Sequence, residues 1–383
     1  MHCHLAIIGG GMVGASLAVS LRQTNLQIAL IDAAPLHSPE DSRLIALNHS
    51  SICFFESIGV WSELKAYAAP MEQIHVSHRG HFGITRIDCK ELNVPALGYV
   101  VPAKYINAVL STALADMRNI KIIQPAKLQA LEQTESGVIL DITGDVATHT
   151  LTADRVIGAD GSFSTVRELL GIDTEKVDYQ QSALVTTTVL QREHNNVAYE
   201  RFQAEGAIAM LPLVGKQAAT IWTASNETIA KLLALTDAEY LQQLQTSFGY
   251  RLGRFLGIEK RAVYPLQMLR AKQQSKQSVL LVGNAAHTFH PIAAQGLNLA
   301  LYEVASVTKF LQGAEHGKSW PDFTRESLQG AFSKNLSHHL TWIFSSDYFM
   351  FNILRQVGML SLDVLPGLKQ RFAWQAMGKS RRL

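Results

Sequence analysis

Three stretches of the chain carry residues whose types and spacing suit the binding of phosphate and sugar. The first, HLAIIGGGMVGASLAVSL, contains Gly9-x-Gly11-x-x-Gly14. Gly9 permits a tight turn, and Gly11 lets backbone amides approach a pyrophosphate, which makes Met12 and Val13 candidate contacts as well. Gly14 lets a helix pack closely on a strand, and that helix's N-terminus faces the phosphate charge. Asp32, eighteen residues after Gly14, ends the apolar run QIALID and is placed to accept hydrogen bonds from a ribose. An acid there favours an unphosphorylated ribose, hence FAD or NAD over NADP. The plainer alternative is an ordinary strand, turn and helix.

The second stretch, RVIGADGSFSTVREL, stops an apolar run at Gly158, turns at Asp160-Gly161 and enters a helix through Ser164 and Arg167. Asp-Gly is also ordinary turn chemistry. The third, VGNAAHTFHPIAAQGLNLAL, interrupts the apolar run Val279 to Val282 with Gly283-Asn284. A loop with two histidines and a proline follows, and a helix pattern then starts near Gln295-Gly296. Small residues there allow close backbone approach. The free N–H groups of a helix start favour a nearby anion by about 0.3–2 kcal/mol. The chemistry of this loop therefore lies in its backbone more than in its side chains. His287 and His290 have the spacing of one helix face, but Pro291 and the loop context do not suit a metal pair, and the sequence puts no acid or cysteine beside them. No metal is expected, and His290 reads as a loop-ordering hydrogen bonder ahead of a catalytic base.

The elements that must position these residues follow from hydrophobic periodicity. A strand, helix and strand surround the first motif, while Leu297, Ala300, Leu301, Val304 and Val307 repeat at helical spacing after the third. Between them MEQIHVSHRG, ALVTTTVL, NVAYERFQ, AATIWTA and RAVYPLQ alternate with β-branched and aromatic residues, as in a sheet with one buried face. The chain has 383 residues, 47% hydrophobic and 17% charged, enough for a large core. A formal charge of +2 gives no reason to expect nucleic acid. Cys3, Cys53 and Cys89 are odd in number and lack metal-ligand spacing, which suits a reduced, intracellular chain. The apolar run after Met1 is too short for a signal peptide, and no uncharged stretch has the length needed to span a bilayer.

Together the three motifs resemble the signatures of the flavoprotein aromatic hydroxylases, the p-hydroxybenzoate hydroxylase type. The resemblance covers nearly the whole chain. SRLIALNHSSICFFESIGVW, HVSHRGHFG, YERFQAEGAIAMLPL and VGNAAHTFHPIAAQGLNL resemble the ubiquinone-biosynthesis branch, of the 2-polyprenyl-6-methoxyphenol hydroxylase type. It implies an α/β fold, with a Rossmann-like FAD-binding domain (residues 1–70, 102–176 and 271–330), an inserted β-sheet substrate domain (71–101 and 177–270) and C-terminal helices (331–383). By resemblance Arg43 lies beside the FAD, and Asp160-Gly161 lies near the flavin and the path of the nicotinamide. Gly283-Asn284 would hold the ribityl chain, and the loop from His287 to Asn298 would line the ring, with His290, Pro291, Gln295, Gly296, Leu297 and Asn298 as candidates.

The wider superfamily usually has Gly-Asp where this chain has Gly283-Asn284. An amide still accepts and also donates, though without the strength of a charged acceptor. The usual Gly-Gln-Gly is here Ala294-Gln295-Gly296, and Pro102, in a segment where relatives often place a polar flavin contact, has no N–H to donate. The reaction implied is hydroxylation of a polyprenyl phenol with O2 through a flavin hydroperoxide, with NADH or NADPH as transient reductant, since only one phosphate-binding fingerprint is present. The competing readings are an FAD oxidoreductase acting on another phenol or a prenyl lipid, and a non-catalytic member of a biosynthetic complex. Tyr199, Arg201, Met210, Trp222 and Tyr264 are either pocket lining or plain strand residues. No catalytic base stands out. The aromatic-rich C-terminal 50 residues end in a basic tail. They either pack on the body of the protein or contact a membrane surface or partner subunits, which gives a cytoplasmic protein with a peripheral site at the inner membrane as the variant.

Overall fold

The structure is a computed structural model that describes residues 1–34, 41, 43–80, 84–144, 148–288, 296–313, 320–321, 370, 374 and 377. β1 (His2–Ile8) leads into α1 (Met12–Ser20) and β2 (Ile28–Ile31); β3 (Leu44–Asn48) leads into α2 (His49–Ser57). β4 (Gln73–His78) and β5 (Gly98–Pro102) precede α3 (Ala103–Ala115), and β6 (Ile120–Ile123) and β7 (Thr148–Gly158) follow it. β8 (Thr174–Leu190), β9 (Val197–Gln203), β10 (Gly206–Pro212) and β11 (Gln217–Ser225) then run to α4 (Asn226–Ala234) and α5 (Asp237–Phe248). β12 (Ala262–Ala271), β13 (Val279–Leu281) and α6 (Gly296–Gly313) close the described chain.

A parallel core in the order β13-β7-β1-β2-β6 forms the first sheet. β2 and β13 are buried throughout and β1 over most of its length, apolar on both faces because both faces are covered, as parallel sheets require. In β1 the alternation divides the core: Leu5 and Ile7 pack with α1, α3 and α6 through Leu17, Ile106 and Leu301. Ala6 and Ile8 pack on the other side with Val138, Leu140 and Val166. Burying each of the larger of these side chains contributes about 1.5–3 kcal/mol. This is the α/β class expected from the sequence.

The second sheet joins β12, β8, β11, β10, β9 and β4 in that order. Its neighbours are antiparallel except for β9 with β4. α4 and α5 cover one face, where Leu184, Ile208, Met210 and Trp222 meet Tyr240, Leu244 and Phe248. A capping box of Thr236 and Glu239 fixes the start of α5. The opposite face packs Ala198, Leu211 and Ala219 on Ala46 and Val100 of β3 and β5. β8 and β12 pair from Thr174 with Ala271 through Val185 with Ala262. The positions 176/177 and 270/271, where the sequence divides the chain, lie inside this ladder. His287 pairs with Arg270, so the segment that leaves β13 ties the first sheet to the second. Among the described residues no helix is long and apolar enough to cross a membrane. The C-terminal segment expected to be helical lies almost wholly outside the described residues.

Candidate functional site

The first motif folds as its glycines demand. Gly9 has φ +105°, and its N–H donates to Ile31 O at 2.8 Å. A Cβ on Gly9 would fall 2.5 Å from Ala159 O, and one on Gly14 would collide with the Gly9 carbonyl oxygen. Gly11 is the N-cap of α1 with no side-chain cap, and a Cβ there would meet nothing within 4 Å. The first-turn amides after Gly11 therefore carry no side-chain cap. Met12 is buried in the core and Val13 is packed against it, so what these two residues can offer a ligand is backbone and not side chain. Asp32 follows β2, and its carboxylate accepts from Gly10 N and, at 2.7 Å, from Ala34 N.

The second motif lies against the first, through Ala159 and Gly9. Asp160 Oδ2 accepts from Val166 N at 3.1 Å, while its buried Oδ1 has no partner among the described residues. The third motif joins both. Gly283, at φ +58°, sits so close to α1 that a Cβ would lie 3.2 Å from Val13 Cγ2 and 3.3 Å from Cγ1. Its N–H donates to Glu303 Oε2 at 3.1 Å, and Val282 N donates to Gly158 O at 2.9 Å. The side chain of Asn284 is exposed.

Two charged residues whose roles the sequence did not show lock this arrangement. Buried Arg167 donates from Nη1 to Ala285 O and from Nη2 to Ser162 O, each at 2.8 Å, so one guanidinium clamps the Asp-Gly turn to the Gly-Asn turn. Buried Glu303 of α6 receives Gly283 N and stands 3.0 Å from His287 Nε2. His287, which the sequence left with no acid nearby, thus has one, brought from sixteen residues downstream. The spacing of Arg167 and Glu303 gives no signal; both act through loops that are remote in sequence.

α6 starts at Gly296, whose Cβ position is open. Leu297 packs partly on the core. The Asn298 side chain is engaged inside the protein: Nδ2 donates to Ala46 O at 2.8 Å, and Oδ1 accepts from Asn48 N at 2.9 Å and Ser51 Oγ at 2.7 Å. Asn298 therefore fastens the start of α6 to β3. Arg43 precedes β3 and makes a two-pronged ion pair with Asp41, Nε to Oδ1 at 2.8 Å and Nη2 to Oδ2 at 2.6 Å. Burial pulls the Asp41 carboxyl upward, but the hydrogen bonds and charge of Arg43, with Asn107, outweigh it and hold it below its ordinary range. Asp41 was not foreseen. His290, Pro291 and Gln295 lie outside the described residues.

The suggested pocket-lining residues divide between the two faces of the second sheet. Met210 and Trp222 pack under α4 and α5, and Tyr199 meets Phe248 edge-on at 5.8 Å, so these three belong to the helix-covered core. For these three the plain-strand reading applies: strand parity sends them away from β3 and β5. Tyr264 has the opposite parity: it pairs with Ala183, on the face turned toward β3 and β5. A separate cleft of about 660 Å³, lined by Arg22, Asn25, Glu63 and Asp116, lies beyond the C-terminal end of α1 and holds none of these residues.

Residues 2–323 match the family described as FAD binding domain. The chain belongs to this family. Among its relatives are ubiquinone hydroxylase UbiL of Rhodospirillum rubrum, 29% identical over 384 residues that cover 97% of this chain and 89% of that one. Another is 3-demethoxyubiquinol 3-hydroxylase of Escherichia coli, 29% identical over 387 residues and 98% of each chain. The crystal structure of p-nitrophenol 4-monooxygenase PnpA from Pseudomonas putida shares the fold, with a TM-score of 0.82 at 15% identity over 100% of both chains. As a member of the FAD binding domain family the chain takes FAD, and its residues fit the cofactor. The uncapped amides after Gly11 suit a pyrophosphate, and the orphaned Asp160 Oδ1 suits a hydroxyl or N–H donor.

Proposed function

We infer that the chain is an FAD-dependent monooxygenase that hydroxylates the aromatic ring of a polyprenylated phenol, of the 2-polyprenyl-6-methoxyphenol type, in ubiquinone biosynthesis, using NADH or NADPH and O2. The close approach of Gly283 to Val13 carries the reading. It brings the Gly-Asn turn to the N-terminus of α1, in a chain whose relatives over nearly their full length are named as hydroxylases of ubiquinone precursors or ubiquinone.

In this reading Gly9, whose own N–H is held by Ile31 O, makes the turn, the amides of Gly11, Met12, Val13 and Gly14 surround the pyrophosphate, and Asp32 takes the ribose. Asp160 and Gly161, with Gly283 and Asn284, hold the middle of the cofactor. The backbone of Gly296, Leu297 and Asn298 meets the flavin ring, together with Pro291 and Gln295. Arg43, oriented by Asp41, borders the ring. Bound FAD supplies hydride acceptance and oxygen activation; the protein supplies orientation and a dry site. Residues 1–70, 102–176 and 271–330 form the FAD unit, and 71–101 with 177–270 form the substrate unit. A polyprenyl tail partitions into lipid, so the enzyme works at a membrane surface, with the segment 331–383 as its contact.

The test is product analysis. The purified yellow protein oxidises NADH or NADPH only with O2 and a phenol present. Mass spectrometry finds one added oxygen on a prenylated phenol and little turnover of simple phenols. Equal turnover of both, or reduction of the prenyl chain without oxygen insertion, contradicts the reading.

A further inference from the structure

In β9 the side chains alternate between the two faces of the second sheet. Tyr199 packs with the core under α5, so Ala198, Glu200 and Phe202 point the other way, toward the side where Ala198 meets Ala46 and Val100. Glu200 is thus an acid on the face that looks at β3, the strand that Asn298 fastens to the start of α6. Its cross-strand neighbours are Ala209 on β10 and Val76 on β4, and the row continues through Ile221, Val185 and Ala262. All are apolar. Glu200 makes no hydrogen bond or ion pair among the described residues.

A carboxyl in such a row is costly and gives nothing back to folding. Burial alone pushes it up to about 7. Yet the residue keeps some accessible surface. Val76, Ala209, Ile221, Val185 and Ala262 are likewise only half-buried, so the whole row borders open space on this face. On the same face the flanking titratable groups are His78 of β4, which meets the Arg79 carbonyl, and Tyr264 of β12 near Arg43. β8, β10 and β11 contribute none to this row.

We propose that Glu200 is a catalytic residue that accepts the proton of the substrate's phenol hydroxyl. This rests on the functional reading above. The O–H bond breaks, the proton moves to a Glu200 carboxylate oxygen, and the electron pair stays on the phenol oxygen, enriching the ring carbons ortho and para to it. The proton leaves to water when product departs. An acceptor of this kind contributes about 10²–10⁴-fold when its pKa lies near the working pH, which is what the apolar row provides.

The test compares wild-type holoenzyme with Glu200→Gln and Glu200→Asp, using a short-chain 2-prenylphenol. The wild-type kcat/KM rises with pH through about 7, since the carboxylate must be ionised to accept. Glu200→Gln loses that limb and about 10²-fold in kcat, while phenol binding, read from the perturbed flavin absorbance, and FAD content stay near wild type. Glu200→Asp keeps the limb with a lower kcat. A Glu200→Gln profile that retains limb and rate overturns the proposal, and so does a flat wild-type profile, which needs no variant. If the wild type inserts no oxygen into any phenol, the functional reading fails and the proposal falls with it; that result is distinct from an active wild type whose profile ignores Glu200.

Discussion

Gly283 leaves no spare room beside Val13: a Cβ on the glycine would lie 3.2 and 3.3 Å from the two valine methyls and 3.4 Å from Ala300 Cβ. Residues 270 positions apart thereby bring two turns to the same end of α1. The φ of +58° adds a second reason for glycine. Gly283→Ala is expected to cost about 1–2 kcal/mol for the left-handed backbone, with crowding of Val13 in addition. Thermal unfolding and the FAD-to-protein ratio check this; a variant with wild-type melting and full flavin contradicts the contact's importance.

Arg167 is the clamp between the Asp-Gly and Gly-Asn turns. Arg167→Met keeps much of the volume but removes both donors, leaving the carbonyls of Ser162 and Ala285 without them. The expected loss is about 1.5–3 kcal/mol per bond, with weaker FAD retention. Arg167→Lys does not rescue both, because one ammonium lacks the fork that spans two carbonyls. Equilibrium denaturation with flavin release as a second probe decides; equal stability of all three proteins rules the clamp out.

The first motif was legible in the sequence because its requirements are local. Gly9 needs a positive φ and Gly14 leaves no room for a side chain, and both constraints act within six residues. The strands of the second sheet were legible from alternation. Which face of that sheet is which was not, since both are apolar: the sequence does not say on which side Met210 and Trp222 lie. Arg167, Glu303 and Asp41 were missed because a charged residue's partner is set by the folded path. Glu200 was missed for a related reason. Its parity is visible in YERFQ, but the apolar row across it comes from strands that only pairing identifies.

Gly14→Val is expected to abolish FAD retention, because the new side chain meets the Gly9 carbonyl oxygen and must push α1 from the turn. Absorbance of the purified variant checks this. Stoichiometric FAD would remove the assignment of the N-terminal turn.

Glu200 also predicts a pH dependence of stability. Burial raises its folded pKa to about 7, above the ordinary carboxylate value. Between those two values the folded state holds the proton and the unfolded state does not, so this residue's contribution to stability falls as pH rises through that window. Glu200→Gln escapes the penalty. It is expected to be more stable than wild type above neutrality by roughly 1–3 kcal/mol, with the gap closing below about pH 4. Urea unfolding at three pH values measures it; a pH-independent gap contradicts an ionisable group in that row.

The central claim is that segments from both ends of the described chain hold one FAD. A crystal structure of the protein with FAD bound tests it most directly. The account predicts the pyrophosphate within hydrogen-bond reach of the amides after Gly11, and the ribityl chain and ring beside Gly283, Asn284 and the start of α6 at Gly296. A flavin that meets the Gly11 turn but lies away from Asn284 and Gly296 contradicts it.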